Sequence, residues 1–121
     1  MHSVLIADNS YLMRSNIRKI LEKEGYMVVG EADNGITCIE KFKEYRPEMV
    51  TLEVALPELD GITTLKMLMK MKPDAKIIMI SALGRESLIK EAISAGAKAF
   101  IIKPFKKEYA VSVFKKTMSA E

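Results

Sequence analysis

The chain has 121 residues, 49% of them hydrophobic and 29% charged, with 19 Lys and Arg against 16 Asp and Glu for a formal net charge of +3. At roughly 150 residues per domain this is room for one domain, and the composition excludes a disordered tail or a membrane protein. The small positive excess does not demand a nucleic-acid partner, the single cysteine excludes an intrachain disulfide, and the single histidine leaves no material for histidine triads or multi-histidine metal sites.

His2, beside the start, reads as a frayed terminal residue. With no basic leader or long apolar stretch near Met1, and with Cys38 alone, the expected compartment is the cytoplasm. The first apolar run is Val4-Leu5-Ile6-Ala7, a strand that ends at Asp8. Met13, Ile17, Ile20 and Leu21 then recur at helical spacing, with Gly25 as a C-terminal stop. Arg14, Arg18, Lys19 and Lys23 on this helix read as a solvated basic stripe. Met27-Val28-Val29 is a second strand, Asp33-Asn34-Gly35 carries turn chemistry, and Ile36, Ile39 and Phe42 line a second helix stopped by Arg46-Pro47.

Met49-Val50-Thr51-Leu52 is the third strand, ending at Glu53. Pro57 and Gly61 bracket a loop, and Ile62, Leu65, Leu68 and Met69 mark a third helix that ends before Pro73. Met69 and Met71 cannot both face the core from it. Ile77-Ile78-Met79-Ile80 is the fourth strand, ending at Ser81. Leu88, Ile89, Ala92 and Ile93 mark a fourth helix closed by Gly96. Phe100-Ile101-Ile102 is the fifth strand, ending at Lys103-Pro104, and Val111, Phe114 and Met118 line the last helix. About five βα units in one domain, 1–121, predict an α/β fold with a parallel sheet covered on both faces.

In such sheets the ligand site lies beyond the carboxyl ends of the strands. The polar residues there are Asp8, Asn9, Glu53, Ser81 and Lys103. Two carboxylates and an amide suit a hard divalent cation, while a hydroxyl and an ammonium suit the charge on a phosphoryl group.

These residues resemble the receiver domain of two-component response regulators, closest to the single-domain chemotaxis regulators of the CheY type. The carriers are Val4-Leu5-Ile6-Ala7-Asp8, Ala32-Asp33-Asn34-Gly35, Leu56-Pro57-Glu58-Leu59-Asp60-Gly61, Ile80-Ser81-Ala82, Ala95-Gly96-Ala97 and Lys103-Pro104-Phe105. The resemblance implies a flavodoxin-like, doubly wound sheet with five flanking helices, in the strand order 2-1-3-4-5 known for this family. It implies magnesium held by Asp8, Asn9, Glu53 and the Ala55 carbonyl, with Glu53 at the phospho-acceptor position. It also implies phosphoryl contacts from Ser81 and Lys103, and a switching aromatic at Phe100. The expected role is signalling rather than catalysis, as a receiver without an output domain. Its partners would be a histidine kinase and a motor-switch or other signalling target, with no nucleic acid or membrane, and it would be a monomer or weak homodimer. Partner contact is expected at the face of the fourth helix, fifth strand and fifth helix, where Lys98, Phe100, Lys106 and Lys107 lie.

Two positions depart from the pattern of that family. Asn9 replaces an acid and Glu53 replaces the accepting aspartate. Asp8, Glu53 and Lys103 sum to −1 where three acids and a lysine sum to −2, so magnesium is expected to bind more weakly. The extra methylene moves the carboxylate by up to roughly 1.5 Å, a displacement that costs on the order of a hundredfold in a transfer governed by positioning. Little or no phosphorylation is expected at Glu53. Its single charge imitates a phosphoryl group, at about −1.5 to −2, only in part.

Three readings of Glu53 stand side by side. It holds the domain part-way toward the active conformation, it leaves an inert scaffold that still docks a partner, or it is a laboratory substitution of an aspartate. The last leaves Asn9 unexplained. The alternative function is a conventional, magnesium-dependent receiver. More remote are a flavodoxin-type electron carrier, for which Asp8-Asn9-Ser10-Tyr11-Leu12 is no phosphate loop, and a nucleic-acid-binding module.

Overall fold

The computed structural model describes residues 2–120. Five strands, β1 (Ser3–Ala7), β2 (Met27–Ala32), β3 (Met49–Leu52), β4 (Lys76–Ser81) and β5 (Ala99–Ile102), alternate with five helices, α1 (Tyr11–Lys23), α2 (Gly35–Tyr45), α3 (Gly61–Met71), α4 (Glu86–Ser94) and α5 (Lys107–Ser119). All strand pairs are parallel, in the order β2-β1-β3-β4-β5. This is the doubly wound order expected above.

Side-chain alternation divides the core between the two faces. Leu5, Ala7, Val50, Leu52, Ile77 and Met79 pack with Phe42, Leu65, Leu68 and Ala92 from α2, α3 and α4. Val4, Ile6, Met49, Ile78, Ile80 and Ile101 pack with Ile17, Leu21 and Phe114 from α1 and α5. Cys38 is buried on the first face, and burial pushes its thiol up to about 12.

The helices begin where short polar side chains can accept from free amides. Ser10 accepts from the Met13 amide, Asn34 from Thr37 and Asp60 from Thr63. Gly96, at φ 116°, turns the chain from α4 toward β5 in a conformation that suits glycine. The peptide bond between Lys103 and Pro104 is cis.

The structure corrects the sequence reading in three places. The second strand runs on past Val29 to Ala32: Gly30 and Glu31 interrupt the apolar run, yet Gly30 fits beneath the Tyr45 ring on this edge strand. His2 is not frayed. Its carbonyl accepts from the Met27 amide, and Nδ1 lies 2.7 Å from Glu48 Oε2. The basic stripe on α1 is only partly solvated: Lys19 and Lys23 are exposed, but Arg14 and Arg18 both turn onto Glu31 in β2. On α3, Met71 is exposed while Met69 is half-buried against the core, in accord with the helical spacing.

Candidate functional site

Beyond the last residues of β1, β3 and β5 the chain presents Asp8, Glu53 and Lys103. Each extends the side-chain set that faces α1 and α5: Val4 and Ile6 precede Asp8, Met49 and Thr51 precede Glu53, and Ala99 and Ile101 precede Lys103. Alternation therefore delivers the three to one side of the carboxyl edge. Lys103 Nζ lies 2.8 Å from Asp8 Oδ2 and 2.7 Å from Glu53 Oε1. Asp8 is 1% exposed and Glu53 5%, so the ammonium compensates two carboxylates with almost no help from solvent.

The remaining carboxylate oxygens are also engaged. Asp8 Oδ1 accepts from the Ser10 amide and Glu53 Oε2 from the Ala55 amide. Burial pushes the Glu53 carboxyl up, but the Lys103 ammonium, the Ser81 hydroxyl and the Ala55 amide outweigh it and hold it below its ordinary value. Burial likewise pulls Lys103 down, and its two acidic neighbours more than reverse this. Both groups are charged at neutral pH.

Local structure fixes the acid at position 53. The N-terminus of α3 packs against the main chain there, because a Cβ on Gly61 would collide with the Glu53 carbonyl. The Gly61 amide donates to the Val54 carbonyl at 2.7 Å, and the Glu53 amide to the Ala7 carbonyl at 3.0 Å. The Glu53 backbone is thus held between β1 and α3, leaving only side-chain torsions to aim the carboxylate at Lys103.

The other candidates take different positions. Ser81 is fully buried, on the side of β4 that faces α2, α3 and α4, and its Oγ accepts from the Leu83 amide. Asn9 is exposed, and its side chain makes no hydrogen bond among the described residues. Ala55 is exposed beside Glu53. Phe100 is half-buried and packs against the α2–α4 side of the core. Lys98, Lys106 and Lys107 are exposed. Phe100 and Lys106 flank a shallow groove with Ile102, Phe105 and Tyr109.

One supporting group escaped the sequence reading. Arg14 donates to the Asp8 carbonyl at 2.7 Å and to Glu31 at 2.9 Å, while Arg18 reaches the other Glu31 oxygen at 2.7 Å. Burial and the two guanidiniums act oppositely on Glu31, and the guanidiniums prevail, holding its carboxyl low. This clamp ties the turn after β1 to the edge strand. The available signal was the spacing of Arg14 and Arg18, which puts both on one face of α1, combined with a lone acid at the end of β2.

A parallel sheet in the order β2-β1-β3-β4-β5, with acids after β1 and β3 and a lysine after β5, is the setting in which comparison with known proteins becomes informative. The family described as "Response regulator receiver domain" matches residues 4–115. The chain belongs to the response regulator receiver domain family. Among curated receivers it is 45% identical over 118 residues to "Chemotaxis protein CheY" of Bacillus subtilis (strain 168), covering 98% of each chain. It is 46% identical over 113 residues to the protein of the same name from Thermotoga maritima, covering 93% of this chain and 94% of the relative. Among solved receivers it resembles a chain in the "CheX-CheY-BeF3-Mg+2 complex from Borrelia burgdorferi", with a TM-score of 0.95, 33% identity and coverage of 98% and 90%. The receiver fold and the CheY-like kinship expected from the motifs are therefore established.

Proposed function

We propose that this receiver works as a single-domain, CheY-like signalling protein in a two-component chemotaxis pathway, and that its acceptor position is occupied by a residue that does not take a phosphoryl group. The kinship to chemotaxis proteins over nearly their whole length supports the pathway. The observation that carries the second part is the Glu53 carboxylate, held by the Lys103 ammonium at 2.7 Å and the Ala55 amide at 3.1 Å. An in-line transfer needs an acceptor oxygen at a set distance from the donor phosphorus. Here the longer side chain already has one oxygen on the Lys103 ammonium and the other on the Ala55 amide. It holds one negative charge against Lys103 permanently, where a phosphorylated aspartate would hold more.

The donor set fits a hard, oxygen-liganded cation, though weakly. Asp8, Glu53, the exposed Asn9 amide and the Ala55 carbonyl would hold magnesium, which would supply positive charge beside phosphoryl oxygens. Lys103 already occupies one oxygen of each carboxylate, and the formal charge of the three ionised groups is −1. Ser81 and Lys103 are the residues suited to phosphoryl contact, and Phe100, half-buried on β5, is the aromatic suited to change position with them. The chain signals through the face of α4, β5 and α5, where exposed Lys98, Lys106 and Lys107 suit an acidic and apolar target. A histidine kinase and a motor-switch or comparable signalling protein are the expected partners, in the cytoplasm.

Incubation with acetyl phosphate and magnesium tests this reading. The native chain is expected to keep its mass, and Glu53→Asp to gain one phosphoryl group. A stoichiometric gain in the native chain would overturn the proposal and, if mapped to another residue, return a conventional receiver. With magnesium already present, added beryllofluoride should change the NMR spectrum of Glu53→Asp alone.

A further inference from the structure

The carboxyl ends of α2 and α3 meet at the opposite edge of the sheet from Asp8, Glu53 and Lys103, since each helix ends just before the strand that follows it. Between them lies a groove of about 470 Å³, floored by Phe42 and Met71 and edged by Lys43, Arg46 and Lys72. Phe42 is 4% exposed and belongs to the core, whereas Met71 is 41% exposed, and Met67 one turn earlier on α3 is 43% exposed. The two methionines form an apolar stripe that runs into the groove.

The three cations have no ion-pair partner among the described residues. Their positive charge suits the negative end of a helix, but that alone does not account for them. At each helix end one carbonyl accepts from a main-chain amide, Phe42 from Arg46 and Leu68 from Lys72, each at 2.9 Å. Among the described residues none of the three side chains donates to a terminal carbonyl, whereas Lys76 does so for α5, reaching the Met118 carbonyl at 2.8 Å. Unpaired cations around an exposed, methionine-lined floor combine charge with an adaptable apolar surface.

We propose that this groove is a second docking site, for an acidic amphipathic segment of a partner protein. A bulky apolar side chain seats between Phe42 and Met71, and flanking carboxylates meet Lys43, Arg46 and Lys72. The site stands apart from the acceptor position and from the α4–β5–α5 face, so its occupant does not compete with either.

The probe is a short synthetic peptide that carries leucines on one helical face and glutamates on the other, titrated into the full isotope-labelled chain. Amide shifts are expected in Phe42 to Arg46 and in Met71 and Lys72. Triple charge reversal (Lys43→Glu, Arg46→Glu, Lys72→Glu) should weaken binding by at least about tenfold. Met71→Ala, which keeps every charge, should weaken it by a few-fold. Glu53→Asp should leave it unchanged, which separates this proposal from the one above. Three outcomes would overturn it: no binding, shifts confined to the α4–β5–α5 face, or equal affinity for a control peptide with serine in place of leucine.

Discussion

Glu53 and Lys103 meet at 2.7 Å across the carboxyl edge of the sheet, and the same ammonium reaches Asp8 at 2.8 Å. Side-chain exposures of 7% for Glu53, 1% for Asp8 and 15% for Lys103 make this a buried triad. Separating a carboxylate from its counter-charge at such a place is costly, because burial has already stripped its hydration.

Lys103→Met retains the length of the side chain and removes its charge. Two buried carboxylates are then left facing each other, and the expected loss of stability is about 3–5 kcal/mol. Urea unfolding at neutral pH measures it. A change below about 0.5 kcal/mol would contradict the pairing.

Acid should act on the same triad. The Glu53 carboxyl lies below its ordinary value when folded, so the folded state binds its proton less readily than the unfolded chain does. The contribution of Glu53 is fully present above the unfolded value near 4.5 and is lost as pH falls through the lower folded value. Lys103 is raised above 10.5, so its contribution is present below that value and is lost as pH rises through the folded one. Unfolding measured from neutral to acid pH should therefore show a smaller decline for Glu53→Gln than for the native chain. An identical decline would remove Glu53 from the account.

The clamp on Glu31 predicts a local effect as well as a global one. Glu31→Gln frees two guanidiniums and should cost about 1–2 kcal/mol. Because Arg14 also holds the Asp8 carbonyl, the amides of Asp8 and Asn9 should shift in the NMR spectrum. A stability loss with those amides unmoved would show that the clamp does not reach the site.

Thr51 is 1% exposed, and its hydroxyl has no hydrogen-bond partner among the described residues. Its neighbours across the sheet are Ile6 and Ile78. Thr51→Val keeps the branched shape and removes the unpaired hydroxyl, so stability should be unchanged or rise by about 1 kcal/mol. Thermal unfolding reads this directly. A lowered midpoint would mean that the hydroxyl is satisfied by water.

The triad was legible in the sequence because each member is the first charged residue after an apolar run, and strand ends in a parallel sheet converge on one edge. Asn9 and Glu53 were equally visible as departures from a motif. His2 and Arg14 were misjudged because their partners are remote, Glu48 at a separation of 46 residues and Glu31 at 17. Which of two solvated faces a charged side chain prefers is decided by tertiary neighbours, which spacing along one helix does not encode. The end of β2 was missed because an edge strand tolerates Gly30 and Glu31 where a central strand would not. The groove between α2 and α3 was not anticipated either: Lys43 and Lys72 belong to no motif, Arg46 marks only the end of the second helix, and the three meet only when two helix ends are placed side by side.

The charge that Glu53 holds against Lys103 is joined to the chain through carbon–carbon bonds alone. An acyl phosphate carries its own timer, since water cleaves it and the message expires. No hydrolysis can strip the carboxylate from Glu53, so whatever state it favours does not lapse with time. Under the function proposed above, the strength of such a signal would be set by how many copies of the chain are present and by how fast they are made and destroyed.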